Sequence, residues 1–388
     1  LFSLPGAKYT LFHLAPVYIL IFSNYVILKL ILNKDIQKNY SFVTFLSLSS
    51  FVFINIFFYR LGEHGTDRSA MILIILLVLN IFYFINKKEQ IIDDNFLKIF
   101  AIIFTIIASL KAFYLIYIII LIPLILHVYN KTKSIKLFFN KNFLYCLLLL
   151  AFVLLTNILN TGCFLFPEKK TCFFNLPWAL SIDTVEFLSL HYENWAKAGS
   201  GAGYSLVQSE KLNYISNFNW FNNWVDRYFF NKVSDLIYSL IFISVIFTII
   251  FKKSRSIKIF NRNYATLSLL LLIVFFIWFM YHPTLRYGGY HLFFFLFFIP
   301  MSIFLEKYSK DITNFNKKVI VIVMITTFIF VGRNIGRLIK ENEIYSYKPF
   351  KSVDYPLKDD SFRYQIRMQK EIKSKKAKKI YKNRYIFF

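Results

Sequence analysis

The chain has 388 residues, is 57% hydrophobic, contains 48 Phe and carries a formal net charge of +25. Apolar runs long enough, or nearly so, to cross a bilayer recur along most of it, and they lack the polar face of amphipathic helices from a soluble core. The charge lies in short loops without a nucleic-acid recognition motif, which argues against a nucleic-acid partner and for a lipid bilayer.

In chain order the hydropathy pattern predicts about ten membrane segments, near 11–32, 42–59, 70–86, 97–109, 112–127, 143–160, 234–252, 264–281, 289–305 and 318–335. The fold class is therefore all-α and polytopic. The chain starts at Leu1 with no charged n-region, and it reads as N-terminally truncated. The fourth and fifth segments meet at Leu110-Lys111-Ala112. A hairpin turning at Lys111 is preferred there, because one long helix places a lysine at the bilayer centre at a cost of about 2.5–3.5 kcal/mol.

Lysines cluster in alternate loops, at 131–141, 252–262 and 307–318, together with Lys34, Lys38, Lys87 and Lys88. By the positive-inside pattern these loops are cytoplasmic. The opposite face then receives Arg60–Ser69, Lys111, an insert over 161–233 and His282–Gly289. The same alternation puts the basic extension, 336–388, on that second face. Long segments translocate with little regard to charge, so the parity stands. Residues 1–335 form the transmembrane domain. Within the insert, Val185–Ala198 followed by Gly199 reads as a helix with a glycine stop. Trp195, Trp220, Phe221 and Trp224 suit a membrane-interface belt.

Cys163 and Cys172 bracket eight residues of that insert, a spacing that suits a small structural disulfide in an oxidising compartment. Cys146 falls in an apolar span and reads as a buried hydrophobe.

Two loops carry candidate chemistry. In the first, Glu63, His64 and Asp67 sit between Arg60 and Arg68. A carboxylate there can act as general base on a hydroxyl or hold a divalent cation. The two arginines suit a phosphate. A solvated turn with self-neutralising charges is the competing interpretation. In the second, His282-Pro-Thr-Leu-Arg286-Tyr287-Gly-Gly offers a lone cation beside a glycine pair that permits close backbone approach. A snorkelling helix anchor is the alternative there. Lys111 adds a third basic point on the same face. No nucleotide-binding phosphate loop, zinc-protease motif or nucleophile elbow occurs, which argues against ATP-driven chemistry. No motif demands a cofactor beyond that divalent cation.

The Glu63–Arg68 loop, the Ser109-Leu110-Lys111 turn and Asn160–Pro167 with Thr171-Cys-Phe resemble uncharacterised bacterial polytopic proteins of surface-polysaccharide loci. More distantly, the layout is similar to the GT-C superfamily of membrane glycosyltransferases, including its family 39-like mannosyl and aminoarabinose transferases. Those proteins carry a Lys at the turn of a short helix pair and a late Arg-Tyr motif, here Arg286-Tyr287. The resemblance implies a bacterial inner-membrane enzyme moving a sugar from a polyprenyl-phosphate donor to a glycan or lipid acceptor at the periplasmic face. On this reading Asp67 and Glu63 are catalytic or accessory acids. Arg286, Lys111, Arg68 and Arg60 meet the donor phosphate, and His64, Tyr287 and His282 contact substrate. The family's first outer-loop carboxylate is expected upstream of Leu1. A polysaccharide polymerase and a lipid-linked glycan flippase are the alternatives.

Overall fold

In the computed structural model, residues 14–39, 41–60, 66–86, 94–133, 141–199, 208–252, 262–308 and 314–345 are described. Glu63, His64, the extension beyond Tyr345 and most of the lysine-rich loops lie outside them.

The described residues are mostly helical, with no named strand among them. In order they are α1 Leu14–Leu32, α2 Lys34–Asn39, α3 Ser41–Phe57, α4 Asp67–Asn86 and α5 Asp94–Leu110. A 3-10 helix at Ala112–Ile120 runs into α6 Leu121–Thr132, followed by α7 Lys141–Thr161, α8 Ile182–Lys197 and α9 Gln208–Ile215. Next, α10 Phe221–Trp224 continues through a π-helical stretch, Val225–Val233, into α11 Ser234–Phe251. Last come α12 Arg262–Tyr281, α13 Gly289–Tyr308 and α14 Phe315–Tyr345. Every predicted segment coincides with a helix. Eight are long and apolar enough to cross a membrane, while Ser41–Phe57 and Leu97–Leu110 are apolar but shorter. The chain is thus an all-α polytopic membrane protein.

Helices α3 and α4 form the buried centre. Their apolar residues are enclosed on nearly every side, with Phe42 stacked on Tyr264 at 4.1 Å and Phe53 against Phe294 at 4.9 Å. Several polar side chains in this core bond locally, as hydrocarbon supplies few other partners. Ser49, Ser50 and Asn55 each donate to the carbonyl four residues back. Asn55 also pairs reciprocally with Asn24 of α1 at 3.0–3.1 Å. Such interhelical amide bonds contribute about 0.5–2 kcal/mol each.

Two ends of the bundle are chemically distinct. At one, Lys318 donates to the Ile250 carbonyl and Phe251 meets Phe315, close to the lysine-bearing connections. At the other, Thr66 donates to the Leu110 carbonyl at 2.9 Å, and the 161–233 insert meets the loop before α13. Among the described residues, Thr66, Lys111 and the loop before α13 thus lie at one end, as expected, whereas most of the lysine-rich loops lie outside the described residues. The hairpin holds too: Lys111 is extended (φ −160°, ψ 121°), and α6 returns so that His127 reaches Phe84 near the far end of α4.

Helix α14 runs on to Tyr345, beyond the expected end of the last span at 335. Arg333 donates to the Ile56 carbonyl at 2.7 Å, which brings this helix end to the Asp67 face. Cys163 and Cys172 are disulfide-bonded, and Cys146 is buried and free. Helix α8 stops where expected, with Gly199 at φ +83°. The proposed aromatic belt requires correction. Trp220 and Trp224 are 1% and 3% exposed; they pack on Phe279 at 5.5 and 5.4 Å and pin the insert to α12 rather than facing lipid.

Candidate functional site

Asp67 opens α4, where a negative charge is favoured by the unpaired amides and the helix dipole. The following apolar residues bury the helix along its length, so its first turn is fixed in the Asp67 face. From there the carboxylate reaches two cations. One oxygen takes the Lys111 ammonium, and the other accepts from Arg286 Nε at 2.6 Å. The three residues come from three separate parts of the chain: a helix start, the hairpin turn and the loop ahead of α13.

That last loop is held rigidly. Trp224 Nε1 donates to the Pro283 carbonyl at 2.7 Å, Trp278 Nε1 to the Thr284 carbonyl at 3.0 Å, and the Leu285 amide to the Tyr228 hydroxyl at 2.8 Å. Gly288 adopts φ +116°, and a Cβ on Gly289 would lie 2.5 Å from the Trp278 ring. The glycine pair thus permits the close backbone approach expected of it, here against the Trp278 ring.

Asp67 is 12% exposed, Lys111 23% and Arg286 60%. Arg286 is therefore the member most able to reach a ligand. Lys111 also lies 4.2 Å from the centre of the Tyr287 ring, a cation–π contact. Burial lowers the Lys111 ammonium below the ordinary lysine range; Asp67 opposes this and Arg286 adds to it. A cavity of about 480 Å³ adjoins the cluster, bounded by Lys111, Pro167, Glu168, Tyr192, His282 and Tyr287 among others. Burial first, then the fields of Lys111 and Lys197, draws His282 down to about 4, so its imidazole is neutral at pH 7.

Five candidate residues are thereby placed. Asp67, Lys111 and Arg286 converge, and His282 and Tyr287 stand beside them. The disulfide closes the Phe164–Thr171 loop, whose Leu165–Glu168 stretch walls the cavity. Glu63 and His64 fall outside the described residues. Arg60 and Arg68 are the departure from expectation. Arg68 donates to the Arg60 carbonyl, and both line a separate groove with Arg333. The four cations expected at one phosphate are thus divided between two places, since Asp67 and Arg68, successive residues on a helix, point in different directions.

No metal-binding group of three or more His, Cys, Asp or Glu occurs among the described residues. Asp67 is surrounded by cations, a donor set that does not suit a divalent ion. Sequence reasoning overlooked Glu168 and Tyr192, which only the folding of the insert over Lys111 reveals. It also overlooked Arg333, although an arginine deep in an apolar helix was a visible signal.

The sequence profile of a family described as "Domain of unknown function (DUF8201)" matches residues 1–294. The chain belongs to the DUF8201 family. Asp67, Lys111, Arg286 and the adjoining cavity all fall within the matched stretch, whereas Arg333 follows it. No curated protein and no solved structure matches the DUF8201 chain.

Proposed function

We propose that this DUF8201 protein is a membrane glycosyltransferase that moves a sugar from a polyprenyl-phosphate donor to a glycan or lipid acceptor at the Asp67 face. On this proposal that face is periplasmic, the membrane is the bacterial inner membrane, and all ten apolar helices cross it. The observation that carries the proposal is the Asp67–Lys111–Arg286 cluster: a carboxylate at a helix start holding two cations beside a cavity at the end of the bundle.

In the reaction, an acceptor hydroxyl oxygen attacks the anomeric carbon. The bond from that carbon to the phosphate oxygen breaks, and polyprenyl phosphate leaves with the electron pair. Negative charge grows on the leaving phosphate oxygen, so cations fixed beforehand supply the main stabilisation. Arg286 is the best placed of them, by its exposure and its planar donor fork. Lys111, buried and held by Asp67, sets the local field. Both oxygens of Asp67 are engaged by cations, which suits an orienting role better than that of a free base. The acceptor's proton then leaves to Asp67 once Arg286 turns to the phosphate, or to water in the cavity.

The test is turnover of a panel of radiolabelled polyprenyl-phosphate sugars by purified protein in vesicles, with and without surface-glycan extract. Sugar transfer that Arg286→Ala lowers about 100-fold or more supports the assignment. Equal transfer by both proteins removes Arg286 from the site. Failure of every donor, together with an unaltered surface glycan in a deletion strain, removes the transferase reading. Short glycan chains in that strain favour a polymerase instead.

A further inference from the structure

The cavity beside the ion cluster differs in chemistry from the cluster itself. The rings of Phe113, Phe166, Tyr192 and Tyr287 give it flat apolar faces. Ser189 and Tyr192, three residues apart on α8, bring two hydroxyls to one side of that helix. Glu168 is the one carboxylate among its described lining residues, and Lys111 is the one ammonium. Most of these groups come from the insert and the loops rather than from the middle of a span, so the cavity is reached from the aqueous side of the Asp67 end.

Glu168 stands in the loop that the Cys163–Cys172 disulfide closes. Its amide donates to the Leu165 carbonyl at 2.7 Å. Its carbonyl accepts from the Thr171 amide at 3.0 Å and from the Thr171 hydroxyl at 2.8 Å. The backbone there is thus held from both sides, which fixes where the side chain starts. The side chain itself is exposed, and its hydrogen bond from the Lys170 amide is long, at 3.4 Å. Lys169, the next residue, pairs with Glu186 instead. Among the described residues no cation pairs with Glu168. Asp67 is the opposite case, with both oxygens committed to cations.

We propose that this cavity takes a sugar ring of the acceptor and that Glu168 removes the proton of its reacting hydroxyl, the reaction itself resting on the transferase reading. A sugar ring has an apolar C–H face and a rim of hydroxyls. Aromatic faces beside a carboxylate and two hydroxyls match both parts. A phosphate would call for cations, and Lys111 is already shared between Asp67 and the Tyr287 ring. A lipid chain would call for walls without a carboxylate. The volume, about 480 Å³, falls within the range of roughly 300–1,000 Å³ usual for small-ligand sites. In the step, the hydroxyl oxygen bonds to the anomeric carbon, and the bond from that carbon to the phosphate oxygen breaks with its electron pair on the phosphate. The hydroxyl proton passes to a Glu168 oxygen, directly or through a cavity water, and the resulting carboxyl returns it to solvent. Of the two routes open to that proton, the one through the cavity thus ends on Glu168, and Asp67 keeps its cations. A glycan is thereby selected over a lipid as acceptor.

Sugar binding is read without turnover and so stands apart from transfer. The full chain is placed in phosphatidylcholine nanodiscs, and saturation-transfer NMR is run with methyl glycosides of hexoses and N-acetylhexosamines as probes. Ring-proton contact is expected for at least one of them. Tyr192→Ala and the cavity-filling Ser189→Trp, with melting temperatures checked, are expected to weaken that binding about 10-fold or more. No binding of any glycoside, or unchanged binding by both folded variants, overturns the site. Glu168→Gln keeps an acceptor for the Lys170 amide and is expected to bind the same glycoside. Its transfer at saturating acceptor should fall about 100-fold or more with little change in the acceptor KM. Full transfer by Glu168→Gln overturns the proton role. Glycoside binding by a wild type that transfers from no donor removes that role together with the transferase reading, and leaves the sugar site standing.

Discussion

Replacing Asp67 with Asn keeps the shape of the side chain and removes the charge that holds Lys111 and Arg286. Breaking a fully buried ion pair by deleting one partner costs about 3–5 kcal/mol, because the remaining charge is stranded. Here two features reduce that figure. Lys111 retains 23% exposure, and its ammonium is already pulled down by burial, so it can lose its proton when its partner is gone. Arg286, 60% exposed, can turn to solvent at little cost. The expected destabilisation by Asp67→Asn is therefore about 2–3 kcal/mol. Lys111→Met in the same background removes the stranded charge and is expected to recover about 1–2 kcal/mol, so that the non-additivity in a double-variant cycle is that recovery plus the cost of Lys111→Met alone. Denaturant or thermal unfolding in one detergent, on wild type, both single variants and the double variant, measures this. Strictly additive effects, or an Asp67→Asn protein as stable as wild type, would refute the view that the carboxylate anchors both cations.

Further outcomes follow from other parts of the Asp67 face. His282, held near 4 in the fold against about 6.5 in an unfolded chain, stays neutral while the unfolded chain takes up protons. Stability is thus fully present above about pH 6.5 and falls towards pH 4, with a contribution of about 2 kcal/mol lost by pH 5. His282→Gln should flatten that slope in melting curves taken from pH 7 to 5, and an unchanged slope would assign the effect elsewhere. Opening the Cys163–Cys172 loop with a paired Cys→Ser change is expected to cost about 2–3 kcal/mol by chain entropy. The same change should loosen the cavity wall, read as faster proteolysis within 161–180, and unaltered cleavage would count against it. Gly162→Ala meets both φ +80° and a Cβ placed 2.5 Å from the Ala179 Cβ, so it should destabilise by about 1–3 kcal/mol. A neutral effect on melting would show that this turn is not close-packed.

Much of the architecture was legible because membrane hydropathy leaves few alternatives: a polar backbone in lipid must be helical. The cost of a lysine at the bilayer centre located the turn at Lys111. The site was legible in part. Asp67, Lys111 and Arg286 stood out as ionisable residues at apolar junctions, but their mutual contact depends on packing between parts of the chain far apart in sequence. The division of Arg68 from Asp67 was not legible, since it depends on the rotation of α4 about its axis. Nor was the burial of Trp220 and Trp224, whose composition fits an interface belt equally well. Arg333 was visible as an arginine within α14, but the last span was expected to end at 335, so it passed as a residue of the span's end.

The most direct measurement of the central claim is sugar release from polyprenyl-phosphate donors by the purified, reconstituted protein, compared between wild type and Arg286→Ala. The expected result is acceptor-dependent formation of free polyprenyl phosphate by wild type, reduced about 100-fold or more in the variant, with both proteins equally folded. Formation at equal rates would place the chemistry elsewhere in the chain. No formation from any donor, with surface glycan unchanged in cells lacking the protein, would contradict the transferase reading itself.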